Sequence, residues 1–304
     1  MALSDQVVGE DCAEFRSTEL ECVIGNNAAA GEHREGYNGL FRLTSTHQPE
    51  TLFVPFYAGL NLELFFDGAS IGRDRDRLFE PRHAPMEFRK LDDRTAELYQ
   101  PPTPLWKVEN WTHFRLVDPY YIDVTFRCVP HEYLFQGGAL GVFWASYINE
   151  PLNKSIYFLQ GGSSLEEPRW HQFCPQYHGH DSTVKHESDP FQWDFMPEVT
   201  KTFMFAEISR ITYAEPFYYG RFRNMVWIIM FEKPENVRFT QSPSGGGKTR
   251  AGDDTCPAWD FQFVVPDYEV GKEYQLRYCV AYKPWRGRSD VLNEVRLLRE
   301  RLKN

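Results

Sequence analysis

The run Tyr120–Val129 repeats with a period of two. Tyr120, Ile122, Val124, Phe126 and Cys128 fall on one side, and Tyr121, Asp123, Thr125 and Arg127 fall on the other. Successive side chains of a strand point to opposite faces, so this run specifies a strand with one apolar and one polar face. The same alternation recurs at Trp111–Arg115, Trp259–Val265 and Glu273–Lys283. Aromatic residues make up 16% of the chain and concentrate in these runs, which points to a β-sandwich or barrel with a polar, aromatic-lined cleft.

Further strand-like segments follow along the chain. They are Glu14–Ile24, Gly39–Thr44, Thr51–Ala58, Leu60–Phe66, Thr95–Gln100, Trp106–Val117, Ala139–Ile148, Ser155–Gln160, Thr202–Ser209, Phe222–Glu232 and Asn236–Gln241. Gly, Pro, Asn and Asp separate them. Period-two reading of Leu60–Phe66 puts Leu60, Leu62, Leu64 and Phe66 inward and Asn61 and Glu63 outward. Asp118–Pro119 reads as the turn of a hairpin joining the strands on either side. Helical spacing is confined to the end, where Val291, Val295, Leu298 and Leu302 form a stripe that Ser289 or Asp290 can cap. Without helical crossovers a parallel sheet is disfavoured. The expected fold is therefore all-β: one large antiparallel sandwich over residues 1–288, with a C-terminal helix over 289–304 packed on it.

Three segments read as long loops: Asp67–Arg89, Gly161–Pro197 and Gln241–Pro257. Such loops in a compact domain tend to carry function. In the last, Gly247, Lys248 and Thr249 imitate the end of a phosphate loop, but Ser242 stands where the motif needs glycine and no helix pattern follows. A flexible hairpin is the expectation there.

A net charge of −10 argues against a nucleic-acid or anionic-membrane partner. No stretch approaches the roughly 18 apolar residues of a membrane span, and Met1–Gly9 lacks the pattern of a secretory signal. The six cysteines show no paired motif, and Cys22, Cys128 and Cys279 lie in apolar strand patterns. Buried free thiols and a cytoplasmic location are the expectation. Composition leaves a homo-oligomer open.

Two constellations are candidates for chemistry. In the histidine-rich loop, His171, His178, His180, Asp181 and His186 cluster in sequence. His178, His180 and His186 give one route to a divalent metal; the other is proton transfer by a histidine titrating near neutral pH. No recognised metal spacing is met, and no other cofactor is implied. The second constellation is on strands. Pairing across the hairpin would set His113, Arg115, Tyr121, Asp123 and Arg127 beside Trp111 on one face. Aromatic rings there could stack on sugar C–H surfaces while charged groups bind hydroxyls; a solvated face of cross-strand charge pairs is the alternative. Tyr219 with Arg221, and Gln262 and Arg277 on later strands, extend the pattern, because arginine grips carboxylates, uronic acids included, through paired bonds.

The strand count, the Trp106–Arg127 hairpin with its Tyr-Ile-Asp-Val-Thr-Phe-Arg segment, and the polar sheet face together resemble the galactose-mutarotase-like supersandwich, the architecture of aldose epimerases and of domains in many carbohydrate-active enzymes. The resemblance implies a sugar-directed β-sandwich over most of the chain. The epimerase pattern of an Asn-rich, His-containing segment leading into Tyr-Phe-Asn is absent, with Trp144–Asn149 its only echo, so no catalytic residue follows from it. The sequence reading is a carbohydrate-active enzyme working on a small sugar or glycoside by acid–base chemistry. His113 and His180 are its candidate acid or base and Glu63, Asp123 or Asp260 its carboxylate. Arg115, Arg127, Arg221, Arg277 and Gln262 would orient the ligand over Trp111, Trp144, Tyr121 and Tyr219. A non-catalytic sugar-binding protein and a metal-dependent enzyme are the rival readings.

Overall fold

The computed structural model describes residues 10–70, 74–196, 203–253 and 255–303. The first nine residues, Thr202 of the strand expected over Thr202–Ser209 and residue 304 of the expected helix lie outside them, and the described part of that strand segment is extended only from Ile208. Two large sheets face each other, with a small third sheet at one side. The small sheet is a meander of β1 (Cys12–Arg16), β2 (Leu20–Gly25) and β3 (Gly39–Ser45). The nine-stranded sheet runs, edge to edge, through β11 (Trp170–Phe173), β10 (Ile156–Leu159), β14 (Phe217–Phe222), β15 (Met225–Phe231), β18 (Tyr274–Pro284), β8 (Tyr121–Pro130), β7 (Val108–Val117), β6 (Thr95–Gln100) and β5 (Glu87–Lys90). The six-stranded sheet has the order β13 (Ile208–Tyr213), β12 (Thr183–His186), β16 (Val237–Ser242), β17 (Ala258–Pro266), β9 (Ala139–Ala145) and β4 (Asn61–Phe66). Among the described residues only β12 and β13 pair in parallel. The fold is the expected large antiparallel sandwich.

Alternation drives this assembly. Ile122, Val124, Phe126 and Cys128 of β8 turn into the space between the large sheets. There Phe126 meets Trp144 of β9 edge-on at 4.7 Å, and Phe261 of β17 meets Tyr278 of β18 at 5.1 Å. The predicted hairpin forms as β7–β8, with Trp111 opposite Arg127, His113 opposite Thr125 and Arg115 opposite Asp123.

Where the sequence reading fails, tertiary context is the reason. Glu14–Ile24 is two strands folded about a turn in which Ser17 Oγ accepts the Leu20 N–H at 3.1 Å. Thr51–Ala58 contributes an isolated bridge at Phe53 rather than a strand. The Asp67–Arg89 segment holds two single-turn helices, α1 (Arg75–Leu78) and α2 (Glu80–His83). The Glu80 carboxylate fixes the second by accepting N–H groups of Leu105 and Trp106. The C-terminal helix α3 (Arg288–Leu302) starts behind Gly287 rather than at a Ser289 or Asp290 cap, with no capping side chain. Its stripe of Val291, Val295, Leu298 and Leu302 packs on the outer face of the nine-stranded sheet against Val226, Ile228 and Ala281. All six cysteines are unpaired, and all but Cys174 are buried. No helix among the described residues is long and apolar enough to cross a membrane.

Candidate functional site

Glu63 is a buried carboxylate in β4, a strand whose other residues, Asn61 apart, are apolar. A bulge in β4 carries it: Leu62 pairs with Trp144 and Leu64 with Phe143, so Glu63 is the extra residue between them. A bulge breaks the period of two and re-aims a side chain. Leu62 and Phe65 therefore enter the inter-sheet core, whereas Leu64 and Phe66 face outward. The alternation read from sequence holds only as far as the bulge.

Glu63 lies on the outer side of the six-stranded sheet, where three surrounding segments meet it. The Tyr147 hydroxyl, just beyond β9, donates to its carboxylate. Arg82 of α2 donates from Nη1 at 3.4 Å and from Nε to the Gly36 carbonyl at 2.6 Å. The Glu63 and Arg82 side chains keep only 11% and 14% exposure, an ion pair largely withdrawn from water. The Arg82 guanidinium also lies 3.8 Å from the Tyr37 ring centre. Tyr37, Tyr57 and Tyr147 form a triangle of rings with centroids 4.7–5.4 Å apart. Burial pushes the Tyr147 hydroxyl well above its usual pKa, and the Glu63 charge adds to it.

His33 sets two of those tyrosines. Its ring nitrogens face the backbone carbonyls of Tyr57 at 3.1 Å and Tyr37 at 2.6 Å, and the ring stacks on Phe41. Burial lowers its pKa to about 4 against the opposing pull of the two carbonyls. The ring is neutral near pH 7, so its single N–H donates to one of these two carbonyls.

On the other side of Glu63, His178 Nδ1 and Ser242 Oγ are 2.7 Å apart. Partial enclosure of the ring lowers its pKa, and the nearby Glu63 charge works the other way. The glycine hairpin read from sequence closes here. Gly245 N–H donates to Ser242 Oγ at 2.7 Å, and a side chain at Gly247, with φ +80°, would strike the Tyr57 ring.

Beneath this cluster the sheet buries polar groups of its own. Asp260 on β17 accepts the Ser146 N–H at 2.9 Å, while its second oxygen has no partner. Gln262 donates from Nε2 to Thr183 and Thr240 at 2.8 Å each. Burial holds the Asp260 carboxyl well above the carboxylate range; the Ser146 bond opposes this and the Glu63 charge reinforces it. Its surroundings thus favour the protonated form. A raised carboxyl contributes stability that is present at low pH and lost as pH rises from about 4 through the folded pKa. Asp260→Asn keeps the shape and cannot ionise. Its stability relative to the parent is expected to grow by up to about 1.4 kcal/mol per pH unit over that window. Thermal melts of both proteins across pH check this; a constant difference contradicts it.

The remaining sequence candidates do not join this cluster. His113, Arg115, Arg127, Tyr121, Asp123, Tyr219, Arg221 and Arg277 lie on the outer face of the nine-stranded sheet, on the opposite side of the sandwich. Cross-strand and helix contacts hold most of them there. His113 bonds Glu97, and Arg127 stacks on Trp111 at 5.1 Å and pairs with Glu273. Arg277 pairs with Glu232. Helix α3 covers Tyr121, whose hydroxyl bonds Glu294 at 2.5 Å, and Asp123, whose two oxygens take Arg301 at 2.8 Å. Trp144 is a core residue, fully buried and stacked on Phe261 at 5.0 Å, so it presents no floor to a ligand. The histidine loop does not gather either. His180 is exposed beside Asp181, and His186 is tied to Ser188 and the Ala214 carbonyl. No group of three or more His, Cys, Asp or Glu among the described residues is placed to hold a metal ion.

Of the cluster, sequence reasoning reached Glu63, Asp260, Gln262 and, as a metal ligand, His178. It missed Arg82, Tyr147, Tyr37, Tyr57 and Ser242. The signal for Arg82 was its place in the charge-rich Asp67–Arg89 loop.

No family model and no curated protein matches the sequence. Solved structures do match the fold. A "putative aldose 1-epimerase" from Escherichia coli K12 superposes with a TM-score of 0.52 at 8% identity, over 90% of this chain and 99% of that one. A mutant of heparan sulfate lyase HepC from Pedobacter heparinus superposes with a TM-score of 0.50 at 10% identity, over 94% of this chain but 37% of that chain. The protein has the galactose-mutarotase-like β-sandwich fold.

Proposed function

We propose that the protein is carbohydrate-active and that its site is the Glu63 cluster on the outer side of the six-stranded sheet. One observation carries this reading: a bulged strand delivers a carboxylate, ion-paired with Arg82 and bonded by Tyr147, beside three packed tyrosines and above the buried Asp260 carboxyl. Such a carboxylate suits proton transfer with a sugar hydroxyl, and the partly exposed Tyr37, backed by the buried Tyr57 and Tyr147, offers an aromatic edge to a sugar ring. Arg82 balances the charge of Glu63 and steadies negative charge developing on a sugar oxygen. We assign His178, beside Ser242, the role of partner acid or base. The fold neighbours, one named as an epimerase and one as a lyase, support the substrate class by analogy only.

The test is a panel of aldoses, uronic acids and short glycosides, followed by NMR for anomer exchange, bond cleavage and binding. Glu63→Gln is expected to lower kcat/KM on any responding sugar by about 10²–10⁴-fold, the usual worth of a positioned proton-transfer group. His113→Ala, on the opposite face, is expected to leave turnover unchanged. Full turnover in Glu63→Gln contradicts the reading. Binding without turnover, lost in the same variant, gives a sugar-binding protein at the same site.

A further inference from the structure

A second aromatic site lies on the other side of the sandwich, where β10, β11 and β14 adjoin the start of α3. Tyr157 stacks on Tyr219 at 4.9 Å, Trp285 lies against Tyr219 at 5.5 Å and Trp170 meets it edge-on at 5.3 Å. Two guanidinium groups lie among these rings. Arg221 is 4.6 Å from the Trp285 ring centre. Arg288 is 5.4 Å from Trp170 and 5.5 Å from Tyr157, and its Nε donates to the Tyr219 hydroxyl at 3.2 Å.

The charges here are left uncompensated. Arg223, two residues beyond Arg221, forks onto Glu50 at 2.8 and 2.9 Å. Arg221 and Arg288 meet no carboxylate among the described residues, and Arg221 Nε is buried with no hydrogen-bond partner. Arg288 also opens α3, whose first N–H groups have no side-chain cap. A helix start of this kind favours negative charge. In a chain of net charge −10, two unpaired guanidiniums beside an uncapped helix and partly exposed tryptophans form a local positive platform.

We propose that this platform binds a carboxylate-bearing saccharide, a uronate unit of a glycan. The planar guanidinium forks match a carboxylate through paired N–H bonds, and the exposed parts of Trp170 and Trp285 take the sugar ring. The inference is independent of the Glu63 reading, since the two sites share no residue and lie on opposite faces.

Calorimetric titration of the full chain with a galacturonic acid trimer, a neutral galactose trimer and sodium acetate at matched ionic strength tests it. The uronate trimer is expected to bind at least about ten-fold more tightly than either control, and Arg221→Ala and Arg288→Ala each to weaken it about ten-fold, the worth of one charge-assisted fork. Arg221→Lys, which keeps the charge without the fork, is expected to fall between. Equal binding of trimer and acetate, no trimer binding, or parental affinity in correctly folded Arg221→Ala and Arg221→Lys overturns the proposal.

Discussion

Trp144→Ala is expected to destabilise the protein by about 3–5 kcal/mol, the range for truncating a large aromatic in a closed core. Trp144 is fully buried between the sheets, stacked on Phe261 and edge-on to Phe126. Removing the indole opens a cavity that neighbours held by two sheets cannot collapse to fill, and aromatic pairing is lost with it. Urea unfolding with an unchanged slope and a lower midpoint measures the effect. A variant of parental stability that had lost sugar binding would instead make Trp144 a ligand floor.

The second large effect belongs to α3. Glu294 is buried, and its carboxylate accepts from Lys283 Nζ at 2.6 Å, Tyr121 at 2.5 Å and Tyr120 at 3.2 Å. Lys283, also buried, keeps one further partner, Asp290, at 3.3 Å. Glu294→Leu leaves that ammonium and the Tyr121 hydroxyl without their main acceptor, and removing one side of a buried pair costs about 3–5 kcal/mol. The double variant Glu294→Leu with Lys283→Met is expected to recover much of the loss, since an apolar pair of similar volume carries no desolvated charge. If the single variant costs nothing, α3 is held by its apolar stripe alone and the buried network is incidental.

The same network explains how far the sequence could be read. Period two in Tyr120–Val129 identified both faces of β8 correctly, and the hairpin register follows from it. Alternation separates faces without saying what covers them. Tyr121 and Asp123 were set on a polar face and are there, but that face receives Glu294 and Arg301 from a helix more than 170 residues away. The candidate site was hidden by the opposite circumstance. Glu63 was legible as a charge within Leu60–Phe66, yet the bulge that aims it changes the strand's period and leaves no mark in composition. Arg82 and Tyr147 reach it from segments that read as loop and as strand end, and His33 lies between the backbone carbonyls of Tyr37 and Tyr57, a contact no side-chain pattern encodes. The histidine loop shows the converse: His178, His180 and His186 are neighbours in sequence and make separate contacts in space.

The placement of the site on the six-stranded sheet is tested most directly by a crystal structure with a saccharide from the responding panel bound. The account predicts a sugar hydroxyl within hydrogen-bond reach of the Glu63 carboxylate, with the sugar ring against Tyr37 and Arg82 alongside. A responding sugar seated instead on the Trp111–Arg127 face, with the Glu63 cluster untouched, would contradict it.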